Sequence, residues 1–206
     1  MRTWAVWTAL GALMAVPVVL AGLSPLLAYR DAPYIAAGLG GALALSMLLV
    51  QPLLGLRALP GLAPAQARMA HRAIGLLLSA AVTVHIGGLY LTSPPDTLDA
   101  LLLVSPTPFS VYGVMATVAL LLTATLVLLR RCMPLTAWRG IHAVLGLTVI
   151  TGSIVHALLI EGTMDTLSKI TLCTAIGVVA LYAVAYGRLI APRIRRLRAR
   201  KARPRP

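Results

Sequence analysis

The sequence alternates long apolar runs with short polar breaks. Six runs, at 4–28, 33–56, 71–92, 107–129, 138–160 and 167–190, can each cross about 30 Å of hydrocarbon at about 1.5 Å per helical residue. The breakers stand between them: Pro60-Gly61 and Pro64, Pro94-Pro95, Pro106 and Pro108, and Pro134. In lipid a chain must pair its backbone polar groups internally, so runs of this length predict helices. The expected fold class is all-α integral membrane. Residues 1–190 form a bundle of six transmembrane helices, and 191–206 form a basic tail. By eye there is no second domain, long linker or clear internal repeat. The first run follows Arg2 and could be read as a signal peptide. Its length and the lack of a small-residue cleavage site after it favour a true first span.

Composition agrees with a lipid solvent. Hydrophobic residues make up 59% of the chain and charged residues 11%, and the mean hydropathy is +0.91, which excludes an ordinary soluble domain. The net charge of +13 would suit a nucleic-acid partner, but its distribution argues against one. Half of the 18 basic residues lie between Arg188 and Arg205, and the others stand between apolar runs. Lys and Arg placed this way set membrane orientation. With both termini in the cytoplasm, only Arg30 and Lys169 among the basic residues fall outside. All five acids (Asp31, Asp96, Asp99, Glu161 and Asp165) then fall outside too. The tail either lies against anionic headgroups or only sets topology. Two cysteines, Cys132 and Cys173, form no C-x-x-C-H, which excludes covalent c-type haem attachment. Each reads as a small apolar residue.

The four histidines carry the candidate chemistry. His71 and His85 are on the third span, His142 and His156 on the fifth, and each pair is 14 residues apart. Fourteen steps of about 100° fall roughly 40° short of four turns, so both members share a face about 21 Å apart along the axis. The two spans run the same way. His71 therefore faces His142 near the cytoplasmic end, and His85 faces His156 in the outer half. Two imidazoles across a gap are what the axial positions of a haem iron require. Inside a bilayer, where polar side chains are costly, the default reading of such residues is functional. The expectation is two b-type haems between helices 3 and 5, connecting the two membrane faces.

Neighbouring residues bear two readings each. Gly75, Gly88, Gly146 and Gly152 lie three or four residues from a histidine, on its face. They either make room for a flat macrocycle or serve close helix packing. Arg68 and Arg139 each precede an inner histidine by three. They are candidate propionate contacts or topology signals.

The segments HRAIGLLLSAAVTVH, SPTPFSVYG and RRCMPLTAWRGIH, with a further histidine 14 residues later, resemble the ferric reductase-like transmembrane domain. That domain is the haem-bearing core of ferric reductases and NADPH oxidases. It also occurs in the haem membrane subunit of the bacterial periplasmic methionine sulfoxide reductase system. The resemblance covers about residues 68–190, and its most specific part is the paired histidines. It implies that His71, His85, His142 and His156 are haem ligands. It also implies electron flow from a cytoplasmic flavin or nicotinamide donor to an acceptor on the outer face of a bacterial inner membrane. Larger members carry a C-terminal flavin and nicotinamide domain. Here the chain stops about 16 residues after its last span, with no Gly-rich dinucleotide fingerprint. The expected donor is therefore a separate flavoprotein reductase or a quinol. In size and span count the chain is similar to the methionine sulfoxide reductase partner. In that subfamily the position of His71 can be Arg.

Three functions compete at this level. The first is a ferric reductase-like conduit, an oxidoreductase component needing a separate donor protein. The second is a quinol-linked cytochrome b. The third is a proton or metal transporter with histidine relays, which the lack of intramembrane carboxylates weakens.

Overall fold

In a computed structural model, residues 2–187 are described. The basic tail at 191–206 and the last residues of the sixth run lie outside them. The described residues are mostly helical, without strands. The helices are α1 (Arg2–Gly22), α2 (Ala32–Leu48), α3 (Gln51–Leu56), α4 (Pro64–Thr92), α5 (Pro94–Leu101), α6 (Pro108–Leu128), α7 (Leu135–Leu159) and α8 (Thr166–Ala185). Six stretches are long and apolar enough to cross a membrane, α2 and α3 together counting as one. The chain is a multi-pass membrane protein.

Helix ends follow local chemistry. The first run was expected to reach residue 28, but α1 stops at Gly22. Pro25 then opens a short 3-10 turn, and Ser24 Oγ accepts from Leu26 N–H at 3.4 Å. The second run was expected to be continuous over 33–56. It breaks at Leu49–Val50 because Pro52, in the first turn of α3, has no N–H to continue the ladder. Arg57 closes α3 in the left-handed region at φ 58°. The third span, α4, begins at Pro64, before the expected residue 71, so His71 stands well inside it. Gln66 Oε1 accepts there from Ala63 N–H at 2.8 Å. Pro94-Pro95, read as a breaker, instead starts α5, since proline suits a first helical turn. Asp165 caps α8 by accepting from Ser168 N–H at 2.9 Å and from the Ser168 hydroxyl. That hydroxyl, and then the N–H, holds the exposed Asp165 carboxyl below the usual carboxylate range.

The connections alternate between the ends of the bundle. One end carries Arg57, Arg68, Arg72, Arg130, Arg131 and Arg139; the other carries all five acids. They are called the basic and acidic ends below. Trp7 Nε1–H donates to Pro60 O at 3.1 Å and ties α1 to the loop at the basic end.

Two antiparallel pairs dominate the packing, α2 on α4 and α6 on α7. α1 packs on α2 and α8, and α8 packs on α7. The core sits between the pairs, around Leu45, Leu49, Leu78, Val149, Leu172 and Ile176. Cys173 is buried there, Cys132 is exposed, and both are free thiols. Many large apolar side chains point outward, such as Leu76, Leu121 and Leu181, and in a bilayer these meet lipid. α4 and α7 make little direct backbone contact. A gap separates the two helices that carry the histidines.

Two of the glycines that bear both readings bring helices together. A Cβ at Gly88 would stand 2.5 Å from Pro33 O and 2.9 Å from Ala37 Cβ, on α2. A Cβ at Gly152 would stand 2.9 Å from Tyr112 O and 3.1 Å from Ala116 Cβ, on α6. For these two the packing reading holds. Gly88→Ala is therefore expected to destabilise the bundle by about 1–3 kcal/mol, the usual cost of overpacking. Gly87 meets nothing within 4 Å, and Gly87→Ala should be neutral or slightly stabilising. Denaturation midpoints of the purified protein in detergent check the contrast; equal midpoints would refute the packing role.

Candidate functional site

The four histidines meet in two levels, as their spacing predicts. His71 and His142 have ring centroids 6.1 Å apart at an interplanar angle of 70°. His85 and His156 stand 6.3 Å apart at 81°. Metal–imidazole bonds are about 2.0–2.1 Å long, and two in line, plus the reach from each nitrogen to its ring centre, give a separation of about 6 Å. Both levels have the spacing of a bis-imidazole metal pair.

Hydrogen bonds fix which nitrogen is free. His85 Nδ1–H donates to Ala37 O at 2.7 Å, and His156 Nδ1–H donates to Phe109 O at 2.9 Å. His71 Nδ1–H donates to Gln51 O at 3.2 Å. A carbonyl only accepts, so in these three rings Nδ1 carries the proton and Nε2 keeps its lone pair. A second partner that fixes ring and tautomer is the usual support of a metal-ligating imidazole. Gln51 Nε2 also donates to His71 O at 3.4 Å, closing a small network across α3 and α4.

Each acceptor belongs to a helix whose carbonyls are already engaged in the ladder. What opens its second lone pair is a glycine. In an α-helix the carbonyl of residue i points at residue i+4, whose side chain flanks it. Four residues after Ala37 is Gly41; four after Phe109 is Gly113; four after Gln51 is Gly55. A Cβ at Gly41 would stand 2.9 Å from His85 Nδ1, and one at Gly113 would stand 2.8 Å from His156 Nδ1. The same rule is looser at Gly55, where His71 Cε1 lies 3.9 Å away. These three glycines were missed from sequence. One signal was there: Gly41 and Gly55 are 14 residues apart, the histidine spacing again.

The site also exposes a repeat that the sequence reading missed. Arg68, His71, Gly75 and His85 are followed 71 residues later by Arg139, His142, Gly146 and His156. Their partner helices repeat at 72 residues: Ala37 and Gly41 match Phe109 and Gly113. At one crossing the small residue changes sides. Gly40 faces the Ala81 carbonyl in the first pair, and Gly152 faces the Tyr112 carbonyl in the second.

The fourth histidine is the exception. His142 Nδ1 is buried and has no hydrogen-bond partner among the described residues. The positions matching Gln51 and Gly55 are Thr123 and Val127, so no glycine opens the carbonyl there. Instead Trp138 stacks on the His142 ring, with centroids 5.0 Å apart and planes 8° apart. Arg130 lies 5.2 Å from the centre of the Trp138 ring, and Trp138 Nε1–H donates to Leu126 O at 3.3 Å. The ring is held by stacking where the others are held by hydrogen bonds.

A cavity of about 810 Å3 at the acidic end is lined by His85, His156, Gly41, Gly113 and mainly apolar side chains. Arg68 and Arg139 are exposed at the basic end, and among the described residues neither hydrogen-bonds to a histidine. A Cβ at Gly75 would stand 3.5 Å from Gln51 Nε2, and one at Gly146 would meet nothing within 4 Å. Among the described residues no group of three or more His, Cys, Asp or Glu comes together.

Comparison with protein-family models, with curated proteins and with solved structures returns no match. The reading of the site therefore rests on its own geometry.

Histidine 15N NMR on the apo-protein should give Nδ1–H signatures for His71, His85 and His156. Gly113→Ala should remove that of His156 alone and cost about 1–3 kcal/mol, as a buried donor loses its partner. An unchanged His156 signal would refute the role given to Gly113.

Proposed function

We propose that this chain holds two b-type haems, one between His71 and His142 and one between His85 and His156, and carries electrons between the two faces of a membrane. The observation that carries the reading is the pair of matched levels: two imidazoles at metal-bridging separation, twice, on helices with a gap between them. A metal ion held by protein alone wants three or more donors, and no such group forms among the described residues. A haem brings its own ring donors and would need only two residues from the chain, which His71 with His142 and His85 with His156 would supply. Paired histidines suit that demand better than they suit a metal transporter.

When bound, haem supplies one-electron chemistry at its iron. The chain's part is to present Nε2 of each histidine across the gap. Ala37, Phe109 and Gln51 fix three of the rings through their carbonyls, and Trp138 fixes the fourth. The mainly apolar lining of the cavity at the acidic end gives that level a largely apolar setting. No acid–base set is needed.

We further propose that residues 68–190 form a ferric reductase-like haem domain. With the basic end in the cytoplasm of a bacterial inner membrane, a flavoprotein reductase donates at the His71/His142 level. An acceptor on the outer face takes electrons from the His85/His156 level. Arg68 and Arg139 would meet haem propionates at the basic end.

A reduced-minus-oxidised visible spectrum, with haem quantified per chain, tests the proposal. Two b-type haems are expected in the wild-type protein. His85→Ala should lose the haem of the acidic end and leave the other at least partly occupied, and His142→Ala the reverse. Full haem content in either variant would refute the ligand assignment. Rapid reduction of both haems by quinol alone would move the donor from a flavoprotein to the quinone pool.

A further inference from the structure

Lys169 sits in the first turn of α8 and is only 9% exposed. It lines the cavity that holds His85 and His156. Its ammonium donates to Ile160 O at 2.8 Å. No ion pair to a carboxylate forms among the described residues. Asp165, one turn earlier, is engaged with Ser168. Asp31 and Asp96 also line the cavity, but neither comes within ion-pair distance of Lys169. Arg30 stands at the same cavity, its guanidinium 4.6 Å from the centre of the Tyr34 ring.

A buried ammonium with one neutral acceptor is an expensive arrangement. Lysine has three donors, and only one is used here. In a membrane protein an ionisable residue turned toward an interior cavity marks a ligand or pathway, and its partner should be named. The side is also unusual. The other basic residues among those described, Arg30 apart, belong to the basic end, so topology does not call for a lysine here.

We infer that Lys169, with Arg30 at the cavity rim, forms a subsite for a carboxylate next to the His85/His156 pair. The carboxylate comes either from a propionate of haem held by that pair or from a free carboxylate entering at the acidic end. The first source rests on the proposed function; the second does not. Lys169 is a positioning residue, since its geometry gives it no axial role.

The test uses purified full-length protein loaded with haem or with haem dimethyl ester, whose propionates are uncharged. The variants are Lys169→Met and Lys169→Gln, the second keeping a donor for Ile160. The readouts are haem release to apomyoglobin and citrate-induced shifts of the reduced spectrum. If a propionate is the partner, release of one haem should be faster in Lys169→Met. The lower bound is about thirtyfold, for stranding one member of a buried charge pair. Esterification should then accelerate release of the acidic-end haem in the wild type, and by less in the variant, where Arg30 alone remains at that cavity. If a free carboxylate is the partner, haem release is unchanged, and citrate shifts the wild-type spectrum but not the variant's. Wild-type release and citrate response in both variants would overturn the subsite. A wild type that binds no haem would defeat the proposed function instead. Citrate-dependent thermal stabilisation, present in wild type and lost in Lys169→Gln, would then support the subsite, and its absence would overturn it.

Discussion

The fold turns on how an imidazole is held inside lipid. Each ring has two nitrogens, and if one is to stay free for a ligand the other must find a partner within the protein. The partners come from helix carbonyls, which are already committed to their own ladder. Glycine four residues after the acceptor resolves the conflict. It removes the one Cβ that would cover the second lone pair, as at Ala37/Gly41 and Phe109/Gly113. This choice sets the rest of the architecture. The donor ring must lie against the acceptor helix, so α2 must pack closely on α4 and α6 on α7. Gly88 and Gly152 supply that close approach on the histidine-bearing helices. Each helix pair is thereby a rigid holder for histidine side chains aimed at the other pair.

The holders are near-copies, and their differences are informative. Offsets of 71 and 72 residues relate the arginines, the histidines and the Ala37/Gly41 and Phe109/Gly113 pairs, but the packing glycines and one corner differ. At that corner Thr123 and Val127 replace Gln51 and Gly55, and His142 loses its carbonyl partner. Trp138 replaces it by stacking, at the place where the other copy has the small, buried Ala67. A stacked ring is held in plane but receives no charge from a hydrogen bond. Hydrogen bonding to the far nitrogen raises the basicity of a metal-ligating imidazole. The acidic-end pair therefore has two rings supported in this way. The basic-end pair has one, through a longer bond. The two levels are chemically distinct although their ring separations are nearly equal.

Much of this was legible in the sequence, because lipid leaves few options. Apolar runs gave the six spans, and the spacing of 14 gave both levels of the site. What was missed depends on contacts between helices. Gly88 and Gly152 lie on the histidine faces by helical arithmetic, yet that arithmetic does not say which neighbour they meet. Gly41, Gly55 and Gly113 carry no chemistry of their own, so a search for reactive residues passes over them. The break at Leu49–Val50 and the start of α5 share a cause: proline is both a breaker and a good first-turn residue. Pro52 and Pro94-Pro95 act in that second way. The internal repeat was hidden because its most regular features, an arginine, a glycine and two histidines, are spread thinly among interchangeable apolar residues.

The gap between α4 and α7 is the remaining constraint. Helices in lipid associate through van der Waals contact and polar bonds, without a hydrophobic drive between them. Helices kept apart forgo that contact. The sequence keeps them apart at both levels while spending close-packing glycines on the α2/α4 and α6/α7 contacts. Bundle stability is thus concentrated within each pair, and the interface between pairs is left to whatever occupies it. On the proposed reading the occupant is flat, apolar in its body and charged at its edge. Its body would restore the contact that α4 and α7 lack. Its edge would need cations, which Lys169 and Arg30 offer at the acidic end. A ligand that binds only the folded chain stabilises it in proportion to its affinity. The two helix pairs and their cofactors would then form a single cooperative unit, with the histidines as the joints between them.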